Sequence, residues 1–570
     1  MQLVHGLDFK NLRGDIYGGV TAAVVALPLA LAFGVSSGAG PVAGLYGAIL
    51  VGFCAALFGG TPAQVSGPTG PMTVVMAAVF THYTGLYPED PAQGAALAFT
   101  VVMMGGLFQV LFGILRIGKY INLIPHPVVS GFMSGIGVIL ILLQLGPLLG
   151  HPAQSGPLAA ARSLPDFLTA PVLDAAVLGV VTLAIVYLLP TRINRILPSP
   201  LLALIVGTLG LYLVFGGEMV TGEIDGKNAY RLGQATVLGN IPTGLPNPQL
   251  PALELALLVD MLKSALILAT LGSIDSLLTS LVADNITRTY HESDRELVGQ
   301  GIGNTLAGIF GGLPGAGATM RTVVNVRAGG RTPLSGALHA VVLLAIVLGA
   351  GGFASYIPHA VLAGILIKVG TDIIDWDYLK RLRQAPKAGV AMMITVLLIT
   401  VFVDLITAVA IGMIMASMVF MQRMVNLQLE SITAITEPPP EAPLSEAERE
   451  ILMEARGRIL LFHPGGPMSF GAAKGMARRL AAFDNYDALV LDLTNVPQID
   501  FTSSRALDDM IHDAVDRGRT AFLVGARPKV YDMLLKQDSL RFVPTDHRYR
   551  DRGPALRHAL QIVKDKRDAA

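Results

Sequence analysis

The sequence predicts an α-helical polytopic membrane protein followed by a small α/β domain. The expected membrane part has fourteen spans, arranged as a 7+7 inverted repeat of core and gate bundles. Three observations carry this. The chain of 570 residues is 52% hydrophobic and 14% charged, with mean hydropathy +0.58, too apolar for a soluble protein of ordinary composition. Apolar runs near ~20 residues, the length of a membrane span, recur along it. Beyond Met424 the chain turns charged and alternates strand-like with helix-like segments, the pattern of an α/β domain.

In chain order, Asp15 to Gly34 reads as a first span broken at Pro28, and Pro41 to Phe58 as a second. The stretch from Ser66 leads into a third ending near His82. Ala95 to Leu115, Ile124 to Leu148, Val172 to Leu189 and Leu201 to Phe215 complete the first half. A polar loop, Gly216 to Leu250, separates it from runs at Leu253 to Val282, Leu297 to Phe310, Ala318 to Val326, Gly336 to Leu348, Ile357 to Ile374, Val390 to Val403 and Leu405 to Met424.

Charge tests this count. With a cytoplasmic N-terminus, the even-to-odd connections are cytoplasmic. They hold Arg116, Lys119, Arg192, Arg195, Arg288, Arg295, Arg327, Arg331, Lys380, Arg381, Arg383 and Lys387. The opposite connections hold only Arg162, Lys227 and Arg231. Lys and Arg thus gather on one side, as the positive-inside rule requires. The reading is a plasma (inner) membrane protein with both termini cytoplasmic. An odd number of spans per half inverts one half against the other. Pro71-Met-Thr-Val-Val75 against Met320-Arg-Thr-Val-Val324 is the visible trace of that repeat.

The domain reading is a transport domain over 1–430, a linker over 431–447 containing the run Glu437-Pro-Pro-Pro-Glu-Ala-Pro443, and an α/β domain over 448–570. Arg458 to Phe462, Ala488 to Leu493 and Thr520 to Val524 read as strands. Ala472 to Ala482, Ser503 to Ala514 and Lys529 to Lys536 read as helices.

Several functions are excluded or unexpected. Zero net charge implies no bulk attraction to nucleic acid. The single cysteine, Cys54, permits no intramolecular disulfide and no cysteine metal cluster. The short polar stretch Met1 to Asn11 does not resemble a cleavable signal peptide. An enzyme is not expected, and no cofactor.

Two Gly/Pro-interrupted stretches, Gly311 to Asn325 and Ser66 to Met76, lie in corresponding places of the two halves. Such a pair is the best sequence pointer to a transporter's binding site. Facing half-helices would present free backbone N–H groups and positive dipole ends to a small inorganic anion. Thr69, Gly70, Ala318 and Thr319 fall at those ends, and the two threonines add hydroxyl donors. Gly and Thr also permit plain tight helix packing. Asp275, an ionisable group at membrane depth, is a functional candidate by default. Thr279 is four residues on and shares its helix face. Together they offer the hard oxygens an alkali cation needs. The alternative is a carboxylate neutralised by a nearby cation, for which Arg321 is the candidate. Asp260 and Lys263 can pair at i,i+3. Glu254, His82, His126, His151 and His359 read as interfacial, and Phe33 as ordinary packing.

Asp15-Ile-Tyr-Gly-Gly-Val-Thr-Ala-Ala-Val-Val-Ala-Leu-Pro28, Gly44-Leu-Tyr46 and Pro125-His-Pro-Val-Val-Ser-Gly-Phe132 resemble signature blocks of the SulP family of anion transporters. Leu491-Asp-Leu-Thr-Asn-Val-Pro-Gln-Ile-Asp-Phe-Thr502 resembles a STAS domain. Gly59-Gly-Thr-Pro62, Pro68 to Met76, Ile274-Asp-Ser-Leu-Leu-Thr279 and Gly315-Ala-Gly-Ala-Thr-Met320 are similar to the cyanobacterial sodium-dependent bicarbonate transporter subgroup. The resemblance implies Na⁺ as coupling ion, bound at Asp275, Thr279, Gly317 and Thr319, and an elevator-type movement of the core against the gate. It also implies a homodimer formed through the STAS domain. Arg321 departs from the subgroup and fits the wider family, where it contributes positive charge to the anion site. It therefore keeps open an H⁺-coupled sulfate or dicarboxylate symporter, and a passive anion channel or exchanger remains a third reading. The position matching Thr502 is a phospho-acceptor in soluble STAS relatives, which makes it a regulatory candidate. The residue-level alternative is that Thr502 caps the following helix while Asp500 bonds local backbone.

Overall fold

The computed structural model describes residues 4–119, 125–154, 156–194, 197–215, 220–224, 227–239, 248–439 and 442–569. Arg195, Ile124, and Pro440 with Glu441 of the proline run lie outside them. The chain divides into two compact units, Met1–Met413 and Ile414–Ala570.

In the first unit the elements are α1 (Leu12–Ser36), α2 (Pro41–Phe58), β1 (Ser66–Gly67), α3 (Gly70–Leu86), α4 (Pro91–Ile114), α5 (His126–Leu148), α6 (Pro157–Thr169), α7 (Leu173–Leu188), α8 (Thr191–Asn194) and α9 (Ser199–Phe215). A hairpin sheet follows, β2 (Val220–Ile224), β3 (Lys227–Leu232) and β4 (Ala235–Val237), within the stretch read as a polar loop. Then come α10 (Leu258–Thr287), α11 (Ser293–Ile309), β5 (Ala316–Gly317), α12 (Thr319–Ala328), α13 (Pro333–Ala354), α14 (His359–Ile373), α15 (Trp376–Lys380), α16 (Lys387–Phe402) and α17 (Leu405–Glu430), whose residues from Ile414 on belong to the second unit. Each of the fourteen apolar segments falls on a helix. Among the described residues, 6 helices are long and apolar enough to cross a membrane, or up to 8 if each bent pair is one span. Fourteen crossings remain an expectation.

Proline starts many of these helices. Pro41, Pro91, Pro157 and Pro333 each take the first helical position, where the missing N–H costs nothing. Pro28 behaves differently from the expectation. The first helix is not broken there but runs unbroken through it. Buried apolar helices tolerate proline because neighbouring groups satisfy the freed carbonyl.

Packing maps one half onto the other. Helix α1 packs on α13 as α10 packs on α4, and α2 packs on α13 as α4 packs on α11. Likewise α7 packs on α14 as α16 packs on α5, while α5 meets α14 and α2 meets α11. The consequence is two groups: a core of α1–α4 with α10–α13, and a gate of α5, α7 and α9 with α14 and α16. At the centre, β1 and β5 pair antiparallel, Ser66 opposite Gly317 and Gly67 opposite Ala316.

The second unit adds β6 (Thr433–Ile435), α18 (Glu446–Glu454), β7 (Ile459–His463), α19 (Phe470–Leu480), β8 (Ala488–Asp492), α20 (Phe501–Asp516), β9 (Thr520–Val524), α21 (Pro528–Lys536), β10 (Arg548–Tyr549) and α22 (Arg552–Ala569). The sheet order is β10-β9-β8-β7-β6, parallel except for the β6–β7 pair. Thus residues 433–435, inside the stretch read as linker, are a sheet edge. Strand side chains alternate between faces. Leu489 and Leu491 join the core under α19, α20 and α21, whereas Ala488 and Val490 face α18 and α22.

Candidate functional site

The crossing of β1 and β5 puts two short helices end to end at the centre of the core. Gly and Pro make the crossing possible. Gly67 has φ +149, and a Cβ there would meet Arg321 Nη1 at 2.9 Å and Ala48 Cα at 3.1 Å. A Cβ on Gly315 would meet the Gly67 carbonyl carbon at 2.6 Å. Only glycine permits these approaches.

Helix α3 begins at Gly70 with Thr69 as N-cap, and α12 begins at Thr319 with Ala318 as N-cap. Neither end carries a side-chain cap. The first amides turned back onto these ends are Thr73 to the Thr69 carbonyl, 2.9 Å, and Thr322 to the Ala318 carbonyl, 2.8 Å. The amides before them are the orphan donors of a helix start. Thr69, Gly70 and Ala318 are all buried. A Cβ on Gly70 would meet Leu140 of α5 and Ile373 of α14, each at 2.8 Å. The end of α3 therefore faces the gate.

Helix α10 supplies the polar side. The Thr69 hydroxyl donates to Asp275 Oδ2 at 2.7 Å. The Thr279 hydroxyl donates to the Gly317 carbonyl at 2.9 Å and shares a 2.7 Å hydrogen bond with the Thr319 hydroxyl. The Gly317 amide donates to Ser276 Oγ at 3.1 Å. Of the four expected cation ligands, Thr279, Gly317 and Thr319 touch one another through two hydroxyls and a carbonyl, whereas the Asp275 carboxylate, one turn earlier on α10, bonds Thr69. This all-oxygen set suits a hard cation.

Arg321 lies in the first turn of α12 and is 2% exposed. Its Nη2 donates to the Pro68 carbonyl, while Nη1 has no hydrogen-bond partner among the described residues. No ion pair within 4.0 Å joins it to Asp275 among the described residues. The guanidinium is held across the β1 turn, one residue from the threonine that bonds Asp275.

A second polar ladder, which sequence reasoning missed, braces the crossing. Glu296, Gln300 and Asn304 recur every fourth residue on one face of α11, a spacing visible in the sequence. Glu296 accepts from the Gly60 amide at 2.9 Å and from Gln64 Nε2 at 2.7 Å. Gln300 donates to Ser66 Oγ at 2.6 Å. Asn304 exchanges two bonds with Gly315, at 2.7 and 2.9 Å. These bonds answer most of the ladder's buried polar atoms, as burial demands, while Gln300 Oε1 has no hydrogen-bond partner among the described residues. His339 of α13, fully buried beside Gly52, was missed as well.

Two other expectations are corrected, Asp260 with Lys263 and the Thr502 cap, and Glu254, His126 and His151 find partners of their own. Asp260 does not pair with Lys263. It lies 3.1 Å from His82 Nε2 and accepts from the Tyr83 hydroxyl at 3.2 Å, because α3 packs on α10 there. Glu254 bonds the Tyr87 hydroxyl. His126 faces Asp375 at 3.8 Å and His151 the Ala170 carbonyl at 3.0 Å. Thr502 does not cap α20. Asp500 does, accepting from the Ser503 amide at 2.8 Å, because Thr502 already lies inside the first turn, where it is exposed.

The second unit has its own buried acid. Asp492 meets His463 Nδ1 at 3.0 Å, Arg552 Nη1 at 3.3 Å and the Thr494 hydroxyl at 2.6 Å. Burial alone would raise its pKa, but these hydrogen bonds outweigh it and hold the carboxyl below its ordinary value.

Residues 12–400 match the model of the sulfate permease family, and residues 450–551 match the STAS domain. The chain belongs to the sulfate permease family. A bicarbonate transporter of Picosynechococcus, BicA, is 46% identical over 98% of this chain and 97% of its own length. The BicA of Synechocystis is 47% identical over 98% and 96%. A putative sulfate transporter of Bacillus subtilis is 28% identical over 95% and 97%. The solved transmembrane domain of a cyanobacterial BicA superposes with TM-score 0.65 at 50% identity, covering 72% of this chain and all of that domain. The structure of SLC26A9 superposes with TM-score 0.77 over 99% of this chain and 92% of that one. At 17% identity it speaks for the fold alone.

Proposed function

We propose that this family member takes up bicarbonate together with Na⁺ by moving the α1–α4/α10–α13 core against the gate. One observation carries the reading. Two helix N-termini without side-chain caps meet at the β1–β5 crossing, buried at Gly70 and exposed at Thr319, and the oxygens of Asp275, Thr279, Gly317 and Thr319 lie on the α10 side of them. The amides at Gly70 and Thr319 receive the anion, with Ala318, Thr69 and Arg321 beside them, the Ala318 amide itself being taken by the Val65 carbonyl at 2.9 Å. The four oxygens hold Na⁺, whose charge offsets that of the bound anion. The likeness to two BicA proteins along nearly the whole chain supports bicarbonate as substrate.

The protein sits in the inner membrane with both termini cytoplasmic, consistent with its Lys/Arg asymmetry. It pairs with a second copy through the STAS domain, where exposed Thr502 is the point for regulation by phosphorylation. Uptake of labelled bicarbonate into proteoliposomes, with competing sulfate, tests the reading. It should follow an imposed Na⁺ gradient and resist sulfate. Uptake that follows a pH gradient without Na⁺ overturns the coupling. Sulfate uptake that outcompetes bicarbonate overturns the substrate.

A further inference from the structure

The second unit exposes two phenylalanines at adjoining helix starts. Phe470 opens α19 and Phe501 opens α20, and they are 54% and 58% exposed. Asp500 ties the two helix ends together. Its Oδ2 accepts from the Phe470 amide at 2.6 Å while its Oδ1 accepts from the Ser503 amide at 2.8 Å. The pair is therefore a fixed feature of the fold. Bare aromatic surface of this kind marks an interaction site when it is contiguous with other apolar surface.

It is contiguous with α17. Within the second unit Gly471 sits against Val425, Gly475 sits against Leu429, and Ser469 Oγ donates to Gln428 Oε1 at 2.9 Å. Met418, Phe420 and Met421 of the same helix are exposed. The apolar stretch Leu405 to Met421 is about 25 Å of helix, close to the thickness of a bilayer's hydrocarbon core. Gln422 and Arg423 end it, and Val425 follows within a turn. The start of α19 thus packs on α17 in the turns just after its apolar stretch. Arg423 on α17 and Arg505, one turn past Phe501, are both exposed. Aromatic rings with arginines beside them are what the headgroup layer accommodates: rings at the acyl boundary, cations among anionic headgroups.

We propose that Phe470 and Phe501 form a lipid-binding foot, which beds the STAS domain into the headgroup layer beside the emergence of α17. The occupant is a lipid surface, argued from continuity with the lipid-facing helix. Gly471 and Gly475 serve the foot by letting α19 lie close to α17.

The test uses the full chain in phosphatidylcholine/phosphatidylglycerol vesicles. In a Cys54→Ala background, Phe470→Cys, Phe501→Cys and, as control, Asp568→Cys on α22 carry an environment-sensitive dye. Spin-labelled lipids with the label near the headgroup should quench the first two at least three-fold more than the control. Because a dye changes the side chain, Phe470→Trp and Phe501→Trp in a Trp376→Phe background repeat the measurement with an aromatic retained. Quenching no greater than the control's in both series overturns the proposal. So does a blue-shifted dye in detergent that stays unquenched in vesicles, which would assign the pair to a second copy or another protein surface.

Discussion

Helices α1 and α10 occupy matching places in the two halves, and each touches both half-helices α3 and α12. Their buried middles differ completely. Helix α1 buries Ala22, Ala23, Ala26 and Ala30, whereas α10 buries Ser273, Asp275, Ser276, Thr279 and Ser280. Alanine lets helices approach closely and asks for no partner. A buried carboxylate and hydroxyls are costly unless satisfied, and here both half-helices turn their threonines toward α10. The repeat therefore sets the geometry, and its asymmetry sets the chemistry. On the proposed reading the cation belongs to one half, and the anion to the point where the halves meet.

This contrast can be broken by substitution. The largest effect is expected for Asp275→Asn, which removes the one formal negative charge of the proposed cation site. Loss of a charge-assisted interaction should lower Na⁺-driven bicarbonate uptake about ten-fold or more. Retained flux independent of any gradient would instead favour a passive pathway. Next comes Arg321→Gly, which removes a buried cation at the end of α12. The bicarbonate-to-sulfate preference in competition assays should shift about five-fold; unchanged transport would restrict Arg321 to bracing Pro68. Thr279→Val removes one hydroxyl and should raise the Na⁺ concentration for half-maximal uptake about three-fold, with the maximal rate nearly kept. The smallest effect sharpens the comparison from the other side. Ala26→Ser gives α1 a hydroxyl that can bond its own helix backbone, so Na⁺ dependence should change less than about two-fold. A larger change would mean that α1 contributes to the ion site after all.

Much of this was legible beforehand. Apolar runs located the fourteen expected segments, each of which falls on a helix, because a chain buried in apolar surroundings must satisfy its backbone within each helix. The Gly/Pro interruptions marked both half-helix starts, and Asp275 stood out as an acid in an apolar run. The Glu296–Gln300–Asn304 ladder had a readable spacing but no motif to draw attention. Pro28 misled because its usual effect assumes solvent at the freed carbonyl. Asp260 misled because a partner at i,i+3 in sequence lost to His82, brought close by another helix. Beta strand β6 hid in a proline-rich stretch because a three-residue edge strand has no periodicity of its own.

By itself the sequence located the apolar helices, marked where the chain is interrupted, and pointed to a repeat of the halves. All three follow from local chemistry: hydropathy, the fixed φ of proline, and the freedom of glycine. Only the tertiary structure decided the partners. Thr69 reaches Asp275, Thr279 reaches Gly317 and Thr319, and Arg321 reaches back to Pro68. Periodicity reports that a side chain is buried but not what it meets. Those meetings follow from the antiparallel β1–β5 crossing, which joins segments roughly 250 residues apart in the chain and has no signature in either segment alone.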